Sequence, residues 1–195
     1  MKNKKYAENI SPEELNELPL IQFPGEIILI DEPEDIKQHL PYLESQPILG
    51  FDTETRPSFR KGRRNKVALL QLSTADQAFL FRLNHTGLPD NLAAILANEE
   101  ITKVGAAIKD DIIGLQEHYD FEPAGFIELQ DFVKKFNIES NGLKKLSGIV
   151  LDHRISKSQR VTNWENAELT EPQLIYAATD AWVCYEIYHR LLTTN

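Results

Sequence analysis

Two acidic residues follow directly on a short apolar stretch near residue 50. The apolar letters PIL lead into GFDTET, so Asp52 and Glu54 lie at the end of a predicted buried strand. Side chains alternate across a strand, and residues two apart therefore share one face a few ångströms from each other. Two carboxylates at that distance repel each other unless one is protonated or a cation lies between them. The alternative is an exposed strand end that carries two solvated acids.

A third acid falls on the inner side of the last predicted helix. This helix is predicted from about Glu171 to Leu192, and apolar residues cover most of its circumference. Viewed along the helix axis, the side chain of Asp180 points between apolar side chains, and Tyr176 lies one turn earlier on nearly the same face. Because burial of a lone carboxylate is costly, Asp180 needs a cation, hydrogen-bond donors or a raised pKa. A hydrogen-bonded helix carboxylate without a metal is the alternative.

A fourth acid must be chosen from two adjacent aspartates, Asp110 and Asp111. The predicted inward stripe of their helix consists of Ile108, Ile112, Leu115 and Tyr119. Asp111 flanks this stripe and Asp110 points largely away from it, so we select Asp111 as the site residue. An acid at the start of a helix, favoured by the helix dipole, is the alternative for Asp111 and the better explanation of Asp110.

The selected acids share one chemistry, because each supplies only oxygen ligands. Such ligands favour hard cations such as Mg²⁺ or Mn²⁺. The chain has one cysteine, Cys184, and five histidines, and these residues show no spacing typical of a zinc site. The sequence therefore predicts a magnesium or manganese site.

The pattern of apolar residues predicts one α/β domain, with a sheet flanked by helices. The chain has 195 residues, of which 42% are hydrophobic, and this length is typical of a single domain. The letters EIILI, PILGFDTE, VALLQLS, AFLFRL and KVGAA predict strands, and helical patterns separate or follow them. A capping box at Ser11 predicts a short helix in an N-terminal extension, residues 1–25, before a main domain of residues 26–195. No stretch is typical of a membrane span or a signal peptide, so we expect a cytoplasmic protein without a membrane partner.

A basic segment, RPSFRKGRRNK, directly follows the acidic strand. The net charge of −9 argues against a nucleic-acid partner, but a local patch can still hold a phosphate backbone. In this segment arginine and lysine would contact phosphates and phenylalanine would stack on or wedge a base, and a second cluster precedes the last helix. The alternative for the basic segment is a solvated loop. The predicted nucleic-acid contacts are Phe59, Arg60, Lys61, Arg63, Arg64, Lys157, Arg160 and Trp164.

The order of these motifs resembles that of the 3'-5' exonucleases with four acidic metal ligands and a tyrosine, the family of ribonuclease D and the Werner syndrome exonuclease domain. FDTET resembles the first motif, VGAAIKDDIIGL the second and YAATDAWVCYEIY the third. The resemblance covers about residues 47–192. In the third motif Tyr176 precedes Asp180 by four residues, and Ile175 stands where a sister subclass has histidine, so the chain resembles the tyrosine subclass.

The resemblance implies a fold and a reaction. The fold is ribonuclease H-like, a mixed sheet with three antiparallel leading strands and helices on both sides. Two Mg²⁺ or Mn²⁺ ions would be held by Asp52, Glu54, Asp111 and Asp180, and Tyr176 would orient the attacking water. The expected activity is hydrolysis of single-stranded or 3'-overhanging nucleic acid from a free 3' end, with release of 5'-mononucleotides.

Some alternatives stay open at the level of sequence. The substrate could be DNA or RNA, because the metal chemistry at a phosphate is the same in both. The chain could also be a nucleic-acid-binding module or an assembly subunit with little intrinsic catalysis. Protein partners are not predicted by the sequence.

Overall fold

A mixed sheet of six strands forms the centre of the part of the chain that the computed structural model describes, residues 6–58 and 65–194. Its spatial order is β1-β4-β3-β2-β5-β6. Strand β3 runs antiparallel to both of its neighbours, and the other adjacent pairs are parallel. The predicted mixed sheet is confirmed. The strands are β1 (Glu26–Ile30), β2 (Ile48–Thr55), β3 (Val67–Ser73), β4 (Gln77–Phe81), β5 (Thr102–Gly105) and β6 (Phe126–Glu128).

Helices cover both faces of this sheet, as predicted. One hydrophobic core lies under α2, α4 and α5, and a second lies under α7 and α8. Among the described residues, no helix is both long enough and apolar enough to cross a membrane. The helices are α1 (Pro12–Glu17), α2 (Pro33–Glu44), α3 (Leu83–Thr86), α4 (Asp90–Ala97), α5 (Lys109–Gln116), α6 (Leu129–Phe132), a 3-10 helix (Val133–Phe136), α7 (Leu143–Leu151) and α8 (Glu171–Leu192).

Two helix predictions have different outcomes. The last helix is confirmed, since α8 begins at Glu171 and ends at Leu192. The prediction that Tyr119 belongs to the inward stripe of α5 is wrong, because the helix ends at Gln116 and Tyr119 is 37% exposed. The helical spacing of apolar residues in the sequence extends to Tyr119, but the helix itself ends at Gln116.

The N-terminal segment, residues 6–25, packs against α7 and α8. Leu15 of α1 is 4% exposed and lies over Gly148 of α7. The ring of Phe23 lies 5.8 Å from that of Trp182, and the backbone N–H of Phe23 donates to the Thr179 hydroxyl over 3.0 Å. These contacts cover one side of the helical layer that carries Asp180.

A close backbone contact brings strand β2 against helix α8. A Cβ atom placed on Gly50 would lie 2.0 Å from the carbonyl oxygen of Ala181, so only glycine permits this approach. Asp52 lies two residues after Gly50, on the same face of β2, and Asp180 immediately precedes Ala181. The contact therefore sets the separation between the acid of the strand and the acid of the helix.

Substitution of Gly50 tests this contact. We expect Gly50→Ala to lower the free energy of unfolding by about 2–4 kcal/mol, because the added methyl group must increase the distance between β2 and α8. The matched control is Gly87→Ala, where φ is 65° and a Cβ meets no atom within 4 Å. That control should cost less, about 1–3 kcal/mol, from the backbone strain of an alanine at φ of 65° and ψ of −168°. Denaturant unfolding measures both changes, and equal losses would contradict the steric argument.

Candidate active site

Three carboxylates meet where the end of β2 lies against α8. One oxygen each of Asp52, Glu54 and Asp180 lies within 4.8 Å of the other two. Glu54 is 9% exposed and Asp180 is 8% exposed. The Asp52 carboxylate accepts a hydrogen bond from the backbone N–H of Thr53 at 3.0 Å. The structure thus brings together three acids that are separated by up to 128 residues in sequence (52 to 180), and we call them the acid cluster.

Asp111 lies beside the acid cluster but is held from the opposite face of β2. The hydroxyl of Thr53 donates to Asp111 Oδ1 over 2.5 Å. The Asp111 charge also raises the pKa of both Asp52 and Glu54, so the Asp111 carboxylate interacts electrostatically with the acid cluster. Asp110 is exposed, whereas Asp111 is half-buried. Of the two adjacent aspartates, Asp111 is the one that the fold places at the site.

Burial raises the pKa of all four carboxyls, and repulsion by neighbouring site carboxylates raises the pKa of Asp52 and Glu54 further. Burial raises the pKa of Glu54 to about 9, and the charges of Asp180 and Asp111 act in the same direction. The pKa of Asp52 lies well above its ordinary value, first because of burial and then because of the charges of Asp180, Glu54 and Asp111. Burial also raises the pKa of Asp111 to about 6 and that of Asp180 to about 7. Without a cation, the acid cluster therefore keeps protons at neutral pH.

Tyr176 lies one helical turn before Asp180 and faces the same cluster. Its side chain is 7% exposed. Its pKa is raised far above the ordinary value by burial, with further increases from the charges of Asp180 and Glu54. The hydroxyl also interacts with the Asp180 carboxyl and lowers the pKa of that group. The phenol is therefore a hydrogen-bond donor at neutral pH and not a base.

The donor set of the acid cluster fits a divalent cation. All of its groups are carboxylate oxygens, the ligands that Mg²⁺ and Mn²⁺ prefer. Asp180 Oδ1 is buried and accepts no hydrogen bond from any residue that the structure describes. A buried oxygen without a donor is costly, and a cation would satisfy it.

Glu128 is a positioning residue that sequence patterns did not reveal. It ends β6, and its carboxylate accepts hydrogen bonds from the backbone N–H groups of Ala107 at 3.0 Å and Ile108 at 2.9 Å. These residues lead into α5, where Ala107 has a left-handed backbone with φ of 66°. Glu128 therefore fixes the turn that directs Asp111 toward the site. An acid at a strand end is the sequence signal, but β6 has three residues and shows no clear periodicity.

The prediction that Trp164 contacts nucleic acid is wrong. Its side chain is 0% exposed, and its ring centroid lies 6.1 Å from that of Tyr176. The indole packs with Tyr176 and Ala177 of α8 against β3 and β4. A nucleotide cannot reach a side chain that is fully buried. Trp164 instead packs against Tyr176 on the side of the sheet and supports it there.

Arg82 holds the loop that carries Trp164. The guanidinium is buried at the end of β4, with the residue 1% exposed. Its Nη1 donates to the carbonyl of Ala167 at 2.7 Å, and its Nη2 donates to the carbonyl of Asn166. Arg56, at the end of β2, adds an ion pair with Glu165 at 3.2 Å. The loop before α8 is therefore anchored to the sheet from two strands.

Two of the predicted basic contacts lie beside the acid cluster. The charge of Lys157 lowers the pKa of Asp180, and the charge of Arg160 lowers that of Glu54. Both side chains are exposed and stand on the loop before α8. The other predicted contacts, Phe59, Arg60, Lys61, Arg63 and Arg64, lie outside the described residues.

Comparisons with known proteins agree on one family. A family model described as 3'-5' exonuclease matches residues 27–194. The chain is 34% identical over 187 residues to the bifunctional 3'-5' exonuclease/ATP-dependent helicase WRN of Mus musculus, a match that covers 89% of this chain and 13% of that protein. It is 35% identical over 167 residues to the putative 3'-5' exonuclease R431 of Acanthamoeba polyphaga mimivirus, which covers 77% of this chain and 41% of that protein. The chain thus spans less than half the length of these two curated relatives.

A solved structure shows the same architecture. The EXO domain of Nibbler from Aedes aegypti superposes with a TM-score of 0.74 at 25% sequence identity, and the match covers 85% of this chain and 86% of that one. The mixed sheet flanked by helices is the ribonuclease H-like fold.

The raised pKa values predict how the stability of the metal-free protein depends on pH. A carboxyl whose pKa is higher in the folded than in the unfolded state binds its proton more tightly when folded. The free energy of unfolding should therefore fall as the pH rises from about 4, the ordinary carboxyl value, to about 9, the value of Glu54. Thermal unfolding in the presence of a chelator measures this loss.

Two further measurements test the cause of that loss. Asp52→Asn removes one charge from the acid cluster and should flatten the decline in melting temperature between neutral and alkaline pH. Addition of Mg²⁺ or Mn²⁺ should restore stability at the alkaline end, because a cation replaces the protons. A chelated protein that becomes more stable as the pH rises through this window would contradict the pKa assignment.

Proposed function

The chain belongs to the 3'-5' exonuclease family, and from that premise we propose that it removes nucleotides one at a time from the free 3' end of a nucleic acid. The supporting observation is the acid cluster, in which oxygens of Asp52, Glu54 and Asp180 lie within 4.8 Å of one another and Asp180 Oδ1 lacks a hydrogen-bond donor. The products are 5'-mononucleotides and a strand that is shorter by one residue. We assign this activity to residues 26–195, with residues 1–25 as an extension, and the family match over residues 27–194 supports that boundary.

Divalent cations complete the proposed site. Asp52, Glu54 and Asp180 would hold one Mg²⁺ or Mn²⁺ ion, and Asp52 and Asp111 would hold a second. When bound, such ions lower the pKa of water and stabilise the negative charge that develops on the phosphate. The hydrogen bond from Thr53 keeps Asp111 beside the acid cluster before any ion binds.

Tyr176 positions the attacking water in this proposal. Its hydroxyl stays protonated at neutral pH and lies next to Asp180. It can therefore fix the direction of a water oxygen by a hydrogen bond, although it cannot remove a proton from that water. The buried ring of Trp164 limits movement of the tyrosine.

The cationic residues of the loop before α8 would hold the phosphate that is attacked. Arg160 and Lys157 stand near Glu54 and Asp180, respectively, where a phosphodiester can be contacted by both cations. Water adds to the phosphorus, and the bond from phosphorus to the 3' oxygen of the preceding nucleotide breaks. That oxygen takes up a proton from solvent, which balances the proton that the attacking water gives up to solvent, and becomes the new 3'-hydroxyl, while the released nucleotide keeps the phosphate at its 5' position.

A terminal nucleotide must leave its neighbours in order to enter such a site. In a duplex this requires loss of pairing and stacking, so single strands and 3' overhangs are the proposed substrates. The metal chemistry at a phosphate is the same in DNA and RNA, so the proposed substrate class is nucleic acid with a free 3' end, DNA or RNA.

A pair of 5'-labelled strands tests this function. One strand has a free 3'-hydroxyl, and the other has the same sequence with a blocked 3' end. We expect a ladder of shortened products only from the free end, only with Mg²⁺ or Mn²⁺, and none from Asp180→Asn. Equal cutting of both strands, or release of nucleotides with a 3'-phosphate, would overturn the proposal. Binding without turnover would favour a binding module.

The two adjacent aspartates of α5 provide a matched pair of variants. Asp111→Asn should lower kcat by about 100-fold or more, because it removes a carboxylate that Thr53 holds beside the acid cluster. Asp110→Asn should change kcat by less than about 3-fold, since this residue is exposed and Thr53 bonds to Asp111 instead. Single-turnover rates measure both effects. A larger loss in Asp110→Asn would show that the wrong aspartate has been selected.

A further inference from the structure

A cavity of about 280 Å³ opens at the start of helix α7. Three lysines line it, Lys144 and Lys145 from α7 and Lys157 from the loop before α8. The amide side chains of Asn16 and Asn141 lie at the same cavity. We call this feature the α7 cavity. Its lysines and amides are hydrogen-bond donors of the kind that bind phosphate oxygens.

The lining of the α7 cavity carries positive charge only. Its lining contains no aspartate or glutamate. Within residues 6–58 and 65–194, none of the three lysines forms a salt bridge. Lys145 and Lys157 are exposed, and Lys144 is half-buried. In a chain with a formal charge of −9, such a concentration of unpaired cations favours an anionic ligand.

The α7 cavity lies next to the proposed active site. Lys157 lines the cavity, while its neighbours Ser156 and Ser158 line a smaller space that also includes Tyr176 and Thr179. The short segment 156–158 therefore separates Tyr176 from the α7 cavity. The charge of Lys157 also lowers the pKa of Asp180, which places this lysine within electrostatic reach of the acid cluster.

We propose that Lys144 and Lys145 of the α7 cavity bind a backbone phosphate of the substrate strand on the 5' side of the attacked phosphate, which Lys157 would contact from the edge of the cavity. This inference rests on the proposed function, in which the 3' end lies at the acid cluster and the rest of the strand must leave across the neighbouring surface. The lining has no aromatic ring on which a base could stack. The α7 cavity would therefore bind the phosphate backbone of a strand, whatever its base sequence.

The double variant Lys144→Gln/Lys145→Gln tests the α7 cavity without touching the acid cluster. With strands of about 12 nucleotides, its KM should rise about 5- to 20-fold and its kcat should stay unchanged. With a dinucleotide, both parameters should match the wild type, because so short a ligand does not reach the α7 cavity. The slope of log affinity against log salt for the long strand should fall by about 1 to 1.5, as expected when two cations no longer meet phosphates.

Lys37→Gln is the matched control, since it removes an exposed lysine from α2, in the layer on the other face of the sheet. It should leave KM and the salt slope unchanged. Equal effects of the double variant on the dinucleotide and the long strand would overturn the proposal, and so would an unchanged salt slope. Loss of inorganic phosphate binding with unchanged strand binding would show a small-anion site instead.

Strand binding keeps this test separate from the proposed function. Fluorescence anisotropy of a labelled 12-nucleotide strand, measured with chelator, requires no turnover. If the wild-type protein releases no nucleotides, the proposed function fails, and the weaker binding of the double variant at low salt would still support the α7 cavity. If turnover occurs and the double variant binds the strand as well as the wild type does, only the α7 cavity is rejected.

Discussion

The repulsion between the buried carboxylates of the acid cluster is the constraint on which the site depends. Asp52, Glu54 and Asp180 hold their oxygens within 4.8 Å of one another, although burial opposes ionisation of each and like charge adds to this at Asp52 and Glu54. Such an arrangement persists only because the surrounding fold enforces it. The backbone contact between Gly50 and Ala181 does so, since it ties the strand to the helix directly beside the acids. In the proposed function, relief of this repulsion would favour binding of a cation.

The remaining elements control where the other groups lie around that cluster. Thr53 points from the opposite face of β2 and holds Asp111, while Glu128 fixes the turn that starts α5. Trp164 supports Tyr176 from the sheet side, and Arg82 anchors the loop in which Trp164 lies. Acids on rigid elements and cations on an anchored loop suit a reaction in which the site binds metal firmly and the strand moves after each step.

Local periodicity was enough to predict five of the six strands that the structure describes, the last helix and the face on which each acid lies, but not the three-residue β6. Alternation along β2 and the helical period of α8 each depend on neighbouring residues only, so the sequence displays them. Trp164 was misjudged because its burial depends on packing against Tyr176, a contact that no local pattern encodes. Glu128 was missed for the same reason, since its partners lie 20 and 21 residues away. The contacts of the N-terminal segment with α7 are likewise long-range, and they complete the α7 cavity.

Calorimetric titration of the metal-free protein with Mn²⁺ at neutral pH tests the central claim, that a cation replaces protons in the acid cluster. Titrations in buffers of different ionisation enthalpy count the protons released. We predict release of about one proton or more as metal binds, because Glu54, with a pKa of about 9, is protonated without it. We also predict at least about 10-fold weaker binding for Asp180→Asn. Binding without proton release, or unchanged affinity in that variant, would contradict this account.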